Sequence, residues 1–239
     1  MIGLRTRRPV LFGAMLVIAL VALFPLRLGL GLSGLGDEGL SAREVMGPAW
    51  WGGLSEAHYG DVPLGDLNAG LSPIQLFIGR ARFDVAGREG SPNATLSGAL
   101  SFSRSTSGVD DVTATIPAGD AFAPVPVTSI ALDDVSVRFR DGACERAEGK
   151  VTATIAATMP QLNLPPQLSG IVRCDGGALL IPLATQAQTE SIAVTIQADG
   201  RYRATLTARP SDLDAAATLT AAGFRAVGDG YRLTVVGNF

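Results

Sequence analysis

Stretches of alternating polar and apolar residues follow one another through most of the sequence, separated by Gly, Pro, Asn or Asp. Such stretches, about 8–12 residues apart, predict short antiparallel β-strands joined by turns. Two neighbouring stretches each place three apolar residues on one face: Ile192, Val194 and Ile196, then Tyr202, Ala204 and Leu206. Each strand then has one dry and one wet face. The predicted fold is mainly β, an antiparallel, hairpin-rich curved sheet or sandwich.

Asp-Gly pairs mark the predicted hairpin turns. They lie between strand-like segments at Asp141-Gly142, Asp175-Gly176, Asp199-Gly200 and Asp229-Gly230. Both central residues of a two-residue hairpin turn need positive φ, which these two residue types adopt readily. Within the predicted strand over residues 127–140, Asp133 and Asp134 interrupt the alternation, and we expect a β-bulge there.

Helices are predicted at two places in the β region. Residues 73–78 begin with a proline that follows Ser72, a pattern typical of a helix start with Ser as the N-cap. Residues 211–222 are followed by Gly223, which is typical of a helix end. Because no fixed-period repeat and no long linker interrupts residues 33–239, we expect them to form one β-rich domain.

An apolar segment precedes the β region. Residues 10–26 are seventeen positions without a charge, and three arginines but no acid precede them. A transmembrane helix needs about 17–25 apolar residues, so we predict a single membrane anchor over residues 9–32. The positive-inside rule then places residues 1–8 in the cytoplasm and residues 33–239 on the other side. A cleaved signal peptide is the main alternative, although no Ala-x-Ala cleavage site occurs before Asp37, and a buried core helix is the other.

Charge and composition narrow the choice of partners. Apolar residues make up 47% of the chain and charged residues 17%, which excludes a chain that is disordered through high charge and low hydrophobicity. Beyond residue 36 the sequence contains 22 acidic and 15 basic residues, a net charge of −7. Because phosphate groups repel such a domain, we predict no nucleic-acid partner and no anionic lipid headgroup as a partner.

Cys144 and Cys174 are the two cysteines of the chain. Midway between them, at Met159-Pro160, the strand pattern is interrupted. If residues 150–157 and 168–173 pair antiparallel, the two cysteines lie level on adjacent strands. An oxidising compartment then favours a disulfide, which adds about 3–4 kcal/mol in the chain-entropy model. Two buried free thiols are the alternative, and a zinc site is disfavoured because it needs four ligands.

Few residues have the chemistry that catalysis requires. His58 is the only histidine, and Ser55, Asp61 and Asp66 lie near it in sequence. The sequence contains no nucleophile elbow, phosphate-binding loop or zinc-binding helix motif. Adjacent acids such as Asp110-Asp111 point apart on a strand and are interpreted as edge or loop charges. We therefore predict no catalytic residue, no metal, no cofactor and no enzymatic activity.

The adjacent residues Trp50 and Trp51 form a conspicuous aromatic pair. On a strand, one ring would face the core and the other would face outward. Because exposed Trp is enriched in binding hot spots, the outward ring is a candidate partner-binding residue. The alternative is that both rings pack against the sheet near the membrane.

The order of several motifs resembles the type II secretion system protein N family, also called general secretion pathway protein N. The motifs are Gly47-Pro48-Ala49-Trp50-Trp51-Gly52-Gly53, Val62-Pro63-Leu64-Gly65-Asp66-Leu67 with Leu71-Ser72-Pro73, Cys144-Glu145-Arg146-Ala147-Glu148-Gly149, Cys174-Asp175-Gly176-Gly177 and Asp229-Gly230-Tyr231-Arg232-Leu233. Members of this family begin with a short cytoplasmic tail and one membrane helix, so the resemblance spans nearly the whole chain.

The resemblance implies a non-catalytic, single-pass inner-membrane protein with its β domain in the periplasm. Its implied partners are other type II secretion components in the periplasm and inner membrane, and its implied role is in the export of folded proteins. A second hypothesis is an AsmA-like envelope protein whose apolar β-groove binds lipid. A third is a periplasmic hydrolase that uses His58 or a pair of carboxylates.

Overall fold

A single antiparallel sheet accounts for the strands of the structure, a computed structural model. The structure describes residues 7–33, 39–60, 62–91, 93–117, 127–155, 167–185, 190–209, 213–221, 223–228 and 230–238. Within these ranges the chain forms sixteen strands and four helices. The mainly β prediction is therefore confirmed, and of the two predicted arrangements, curved sheet and sandwich, a single sheet is the one observed.

Strand length varies from two to fourteen residues. The first seven strands are β1 (Leu40–Ser41), β2 (Glu44–Met46), β3 (Gly52–Tyr59), β4 (Val62–Leu71), β5 (Ala81–Gly87), β6 (Ser97–Phe102) and β7 (Thr106–Pro117). The other nine are β8 (Val127–Arg140), β9 (Ala143–Ile155), β10 (Gln167–Ile171), β11 (Arg173–Asp175), β12 (Ala178–Ala184), β13 (Ser191–Ile196), β14 (Arg201–Ala208), β15 (Arg225–Val227) and β16 (Gly230–Asn238). The helices are α1 (Arg7–Ala22), α2 (Leu26–Ser33), α3 (Pro73–Phe77) and α4 (Leu213–Ala221).

Strands that follow one another in sequence are neighbours through most of the sheet. The order is β1-β3-β4-β5-β6-β7-β8-β9-β10-β12-β13-β14-β16-β15. In addition, β2 pairs with β3, and β11 pairs with β12. At the C-terminal end, β16 lies between β14 and β15, so β15 is the outer strand. Because most pairings join sequence neighbours, the polarity pattern of each hairpin is sufficient to set its register.

The predicted hairpin of β13 and β14 is confirmed residue by residue. Ile192 pairs with Leu206, Val194 with Ala204, and Ile196 with Tyr202, so all six apolar side chains lie on one face. A shift of one residue would expose the whole set to solvent, which is why the pattern specifies the register so strongly.

The predicted Asp-Gly turns are partly confirmed. Asp141 and Gly142 connect β8 to β9, with φ values of 49° and 79°. Between β11 and β12, however, the turn residues are Gly176 and Gly177, since Asp175 still pairs with Ala178. Between β15 and β16, Val227 pairs with Gly230, so the turn lies one residue earlier than predicted, and its Asp229 is outside the described residues. In both hairpins a second glycine made the shifted turn available.

Bulges and register shifts interrupt the ladders of several described strands. The predicted bulge at Asp133-Asp134 is confirmed by a register shift between β8 and β9, with Asp134 at a φ of 52°. Asp111 in β7 and Glu56 in β3 also adopt positive φ next to register shifts, and neither was predicted. Because a bulge increases the local twist of a strand, these positions curve the sheet.

The apolar side chains on the dry face form two separate clusters. The N-terminal cluster consists of Leu26, Ala49, Leu54, Ala57, Leu67, Ala69, Leu71 and Phe83. The C-terminal cluster is larger, with Val127, Val135, Val137, Val151, Ala153, Ile155, Leu168, Val172, Leu179, Leu183, Ile192, Val194, Leu206, Leu219 and Phe224. The sheet therefore has two cores along its length, one at each end.

The four helices differ from the predictions in detail. The apolar segment predicted as one anchor over residues 9–32 is divided into α1 and α2, with the interruption around Pro25, which lacks the N–H that a helix needs. Among the described residues, no helix is both long enough and apolar enough to span a membrane. The two short helices of the β region are present as α3 and α4, although the Ser72 side chain makes no capping hydrogen bond.

Candidate functional site

The two tryptophans lie in a turn, so the prediction of a strand at this position was wrong. Residues 47–51 reverse the chain between β2 and β3, with Gly47 at a φ of 83° and the Trp51 N–H donating to the Pro48 carbonyl oxygen at 3.3 Å. The predicted division of the two rings is nevertheless observed. Trp50 packs against the N-terminal cluster, whereas Trp51 is 71% exposed.

This tryptophan turn is attached to the N-terminal helices. The Leu26 N–H donates to the Gly47 carbonyl oxygen at 3.1 Å, and the Ala49 N–H donates to the Phe24 carbonyl oxygen at 2.6 Å. The Trp50 indole N–H donates to the Val21 carbonyl oxygen at 2.9 Å. These backbone partners satisfy groups that the break between α1 and α2 leaves open. The turn thereby holds the beginning of α2 on the sheet.

Apolar packing strengthens this attachment. The side chains of Leu26 in α2 and Ala49 in the tryptophan turn are both fully buried, and both belong to the N-terminal cluster. A Cβ atom at Gly52 would lie 2.5 Å from the Leu26 side chain, so the glycine at the start of β3 makes the close approach possible. We call this contact between α2 and residues 47–52 the helix joint.

A disulfide joins β9 to β11. It connects Cys144 and Cys174, whose Cα atoms are 5.5 Å apart. The Cys144 N–H donates to the Gly177 carbonyl oxygen at 2.7 Å, which places the beginning of β9 against the turn that follows β11. The proposed strand arrangement is also observed, since β9 and β10 are antiparallel and Leu168 pairs with Ala153. The predicted break at Met159-Pro160 lies outside the described residues.

An apolar groove lies on the dry face at the C-terminal end. Its cavity volume is about 30 Å³, and its walls come from β8, β9, β12, β13, β14 and β16. Val127, Ile130, Leu183, Val194, Leu206 and Leu233 contribute to these walls. Residues of β8 and β16 line the same space although five strands separate them in the sheet order, so the sheet curls around the groove.

A charged cleft lies on the opposite face, at β5, β7, β8 and β9. Asp110 is its central residue, with a side chain only 17% exposed. It accepts hydrogen bonds from the Ser101 hydroxyl and from Arg82 at 3.1 Å, and Arg138 lies 3.8 Å away. Val137 of β8 is buried on the dry face. Arg138 is the next residue of the strand, so its side chain, and with it the cleft, lies on the wet face.

The interpretation of Asp110 as an edge or loop charge was therefore wrong. It lies on β7 in the middle of the sheet, where its charge is compensated by Arg82 of β5, two strands away, and by Arg138 of the adjacent β8. The arginines could not be assigned to it from the sequence, because the pairing of β5 with β6 and of β7 with β8 brings them together.

Of the titratable groups in the described residues, two have shifted pKa values. In the cleft, a hydrogen bond and the negative charge of Glu148 raise the pKa of the Arg146 guanidinium. In the turn between β13 and β14, the backbone N–H of Arg201 lowers the pKa of Asp199, and the Arg201 guanidinium, 2.6 Å away, lowers it further. Both groups are exposed and reinforce a surface ion pair within one strand or turn.

Of the carboxylates near His58 in sequence, Asp61 is outside the described residues. His58 lies at the exposed end of β3. Its Nδ1 is 2.9 Å from the Glu56 carbonyl oxygen, whereas Asp66 accepts a hydrogen bond from the Glu56 N–H. The structure therefore uses Asp66 to hold the bulge of β3. Within the described ranges, no group of three or more His, Cys, Asp or Glu residues is arranged to hold a metal ion.

The fold and its surfaces define a class, a β protein built as one long antiparallel sheet with an apolar groove on one face and a charged cleft on the other. A model of the family described as Type II secretion system (T2SS), protein N, matches residues 38–234. The chain belongs to the type II secretion system protein N family, a family of type II secretion components. The resemblance seen in the sequence motifs is therefore confirmed.

A curated relative supports the same assignment. The Type II secretion system protein N of Vibrio cholerae serotype O1 (strain ATCC 39315 / El Tor Inaba N16961) is 27% identical over 206 residues, which cover 81% of each chain. No solved structure matches the chain.

Proposed function

We propose that this protein is a non-catalytic assembly module of the type II secretion machinery, anchored in the inner membrane with its sheet in the periplasm. The observation that supports it most strongly is the family match over residues 38–234, which includes all of β1 to β15 and the first half of β16. The role in assembly is a binding role, and the groove, the cleft and the exposed Trp51 are the surfaces available for it.

The proposed location is supported by the disulfide and by α1. A disulfide persists in an oxidising compartment such as the periplasm and is rare in the cytoplasm. Nine large apolar residues between Leu11 and Leu23 are 53–80% exposed, and water disfavours such a surface. In this proposal the exposed apolar residues of α1 contact lipid, and the helix joint fixes the sheet close to the membrane surface.

Deletion and complementation test the secretion role. Deleting the gene should reduce export of a type II substrate across the outer membrane, and the wild-type gene should restore it. As a control, the level of a periplasmic protein that does not use the pathway should stay constant. Unchanged export in the deletion strain, together with no crosslink to any secretion component, contradicts the proposal.

Fusions to a periplasm-dependent reporter test the location. Alkaline phosphatase joined after Ser72 should be active, because its own disulfides form only outside the cytoplasm. The same fusion lacking residues 9–32 should be inactive and should leave the membrane fraction. An active reporter without residues 9–32 contradicts the anchor.

The apolar groove favours one alternative function, the binding of an acyl chain. Its walls contain no charged side chain, and Ala204 lies in its floor next to Val194. An Ala204→Trp variant would fill the groove, whereas an Arg203→Trp variant adds the same side chain to the opposite face. If lipid copurifies with the wild type and with Arg203→Trp but not with Ala204→Trp, the lipid hypothesis is favoured over the assembly module.

A further inference from the structure

The two edges of the sheet are covered to different extents. At the N-terminal edge, β1 and β2 together pair with Gly53 to Ser55 and with His58 and Tyr59 of β3. At the C-terminal edge, β15 pairs only with residues 230–232 of β16. Among the described residues, no strand pairs with residues 234–238 of β16 on the side away from β14.

The direction of the free backbone groups follows from one hydrogen bond. The Gln197 N–H donates to the Arg201 carbonyl oxygen at 2.9 Å, so Arg201 directs its backbone groups toward β13. In an antiparallel ladder alternate residues direct these groups to opposite neighbours, so Tyr202 and Ala204 direct theirs toward β16. Their partners on β16 are Gly237 and Val235. The N–H and C=O groups of Thr234, Val236 and Asn238 therefore point outward.

The two faces at this edge differ in chemistry. On the dry face, Leu233 and Val235 line the apolar groove. On the wet face, Val236 is 64% exposed and pairs with Arg203 of β14. A strand added next to β16 would therefore extend the wall of the groove with every second side chain and cover Val236 with the others.

Three arginines on the wet face of this edge are not paired with an acid in the part of the chain that the structure describes. Arg203, Arg225 and Arg232 form no ion pair with any described residue, in a domain whose net charge is −7. Moreover, Arg225 and Arg232 lie directly opposite each other on β15 and β16. Like charges at opposite positions destabilise a sheet, and an acidic group bound between them would remove this cost.

We propose that residues 234–238 of β16 bind an extended segment of another type II secretion component by strand addition. The bound segment alternates apolar and acidic residues. Its apolar side chains face the groove, and its acidic side chains cover Arg203, Arg225 and Arg232. The main-chain hydrogen bonds supply affinity, while the groove and the arginines select the sequence. This inference rests on the proposed assembly role and names the surface that performs it.

A second copy of the chain fits this edge less well, because its own β16 would bring a second set of arginines to the same face. An anionic membrane would match the arginines but would leave the outward N–H and C=O groups without partners. The crosslinking test distinguishes both of these occupants from the proposed acidic segment.

The test uses a photo-crosslinking amino acid at position 234 of the full-length protein in intact cells. The expected product joins it to an extended, acidic segment of a secretion component, identified by mass spectrometry of the crosslinked peptide. A Val236→Pro variant removes one outward N–H and should lower the crosslink yield at least tenfold. The matched Val236→Thr variant keeps the N–H and should retain at least half of the yield.

Charge reversal provides a second measurement that leaves the backbone unchanged. A double variant with Arg203→Glu and Arg232→Glu should lower the yield at least fivefold, and replacing the acids of the mapped segment by Lys should restore it. If the Val236→Pro variant fails to form the disulfide or loses its thermal transition, it is misfolded. The crosslink yield of the double arginine variant is then the measurement that tests the proposal.

Four results would overturn the inference. They are a crosslink only to lipid, a crosslink only to a second copy, a segment without acidic residues, and a yield that neither variant changes. If a crosslinker at Trp51 still captures secretion components in these cases, the assembly role stands and only the edge is wrong. If no position captures a component and the deletion strain exports normally, the proposed function itself is wrong.

Discussion

The two edges of the sheet are protected to different extents. At the N-terminal end, two short strands cover β3, and the helix joint buries Leu26 and Ala49 over the cluster. At the C-terminal end, the groove is open, and no described strand pairs with the outer side of residues 234–238 of β16. Natural proteins normally protect long edges, and an unprotected edge is able to pair with another chain. This difference is the basis of the two proposals, in which one end attaches the sheet and the other recruits a partner.

The largest expected effect is in the C-terminal cluster, where Leu168 of β10 is fully buried. Leu168→Ala should lower the free energy of unfolding by about 3–4 kcal/mol through lost burial and a residual cavity. Ile171 lies on the same strand and is 69% exposed, so Ile171→Ala should cost below about 0.5 kcal/mol. Chemical denaturation measures both variants, and equal losses would show that the cluster is not a packed core.

The disulfide is expected to stabilise the C-terminal end selectively. Replacing Cys144 and Cys174 by Ser should lower the free energy of unfolding by about 2–4 kcal/mol, because the unfolded chain gains conformational freedom. Hydrogen exchange should accelerate in β9 to β12 and stay unchanged in β3 and β4, which belong to the other cluster. Equal acceleration at both ends would show that the two clusters unfold as one unit.

At the N-terminal end, Leu26→Ala is expected to loosen the helix joint. Loss of the buried side chain should lower the free energy of unfolding by about 2–3 kcal/mol. Protease cleavage between α1 and β1 should increase. Leu28 is the matched control on the same helix, since it is 54% exposed. If Leu28→Ala increases cleavage as much as Leu26→Ala, the joint does not depend on the buried contact.

The smallest expected effect is the pH response of the β13–β14 turn. Because Arg201 lowers the pKa of Asp199 below 3.8, the ionised carboxylate stabilises the folded state. This contribution is fully present above the ordinary pKa and is lost as pH falls through the lowered folded value. An NMR titration should place the Asp199 midpoint below 3.8, and Asp199→Asn should remove the response of the Arg201 amide. A midpoint at or above 3.8 contradicts the turn geometry.

Hairpins were the most predictable part of the fold. The register of β13 and β14 followed from six apolar residues, because a side-chain period of two allows only one register to bury them. The turn at Asp141-Gly142 followed from the preference of both residues for positive φ. The shift of the turn to Gly176-Gly177 could not be predicted, because three successive residues offered two suitable turns.

The candidate surfaces were predictable only in part. One of the two tryptophan rings was correctly expected to face outward, but the sequence did not show that it is Trp51. The turn that presents it depends on the contact between Pro25 and Pro48, which are 23 positions apart in the chain. The charged cleft was missed because Arg82 and Arg138 reach Asp110 from different strands.

The sequence by itself determined the local structure, namely the strand periodicity, most turn positions, the cysteine pair and the family motifs, since each depends on residues close together or on a fixed order. Only the tertiary structure decided where β15 lies, how the sheet curls around the groove and which edge remains open. These features depend on contacts between residues far apart in the chain, whose free energies are set by the geometry of the assembled sheet.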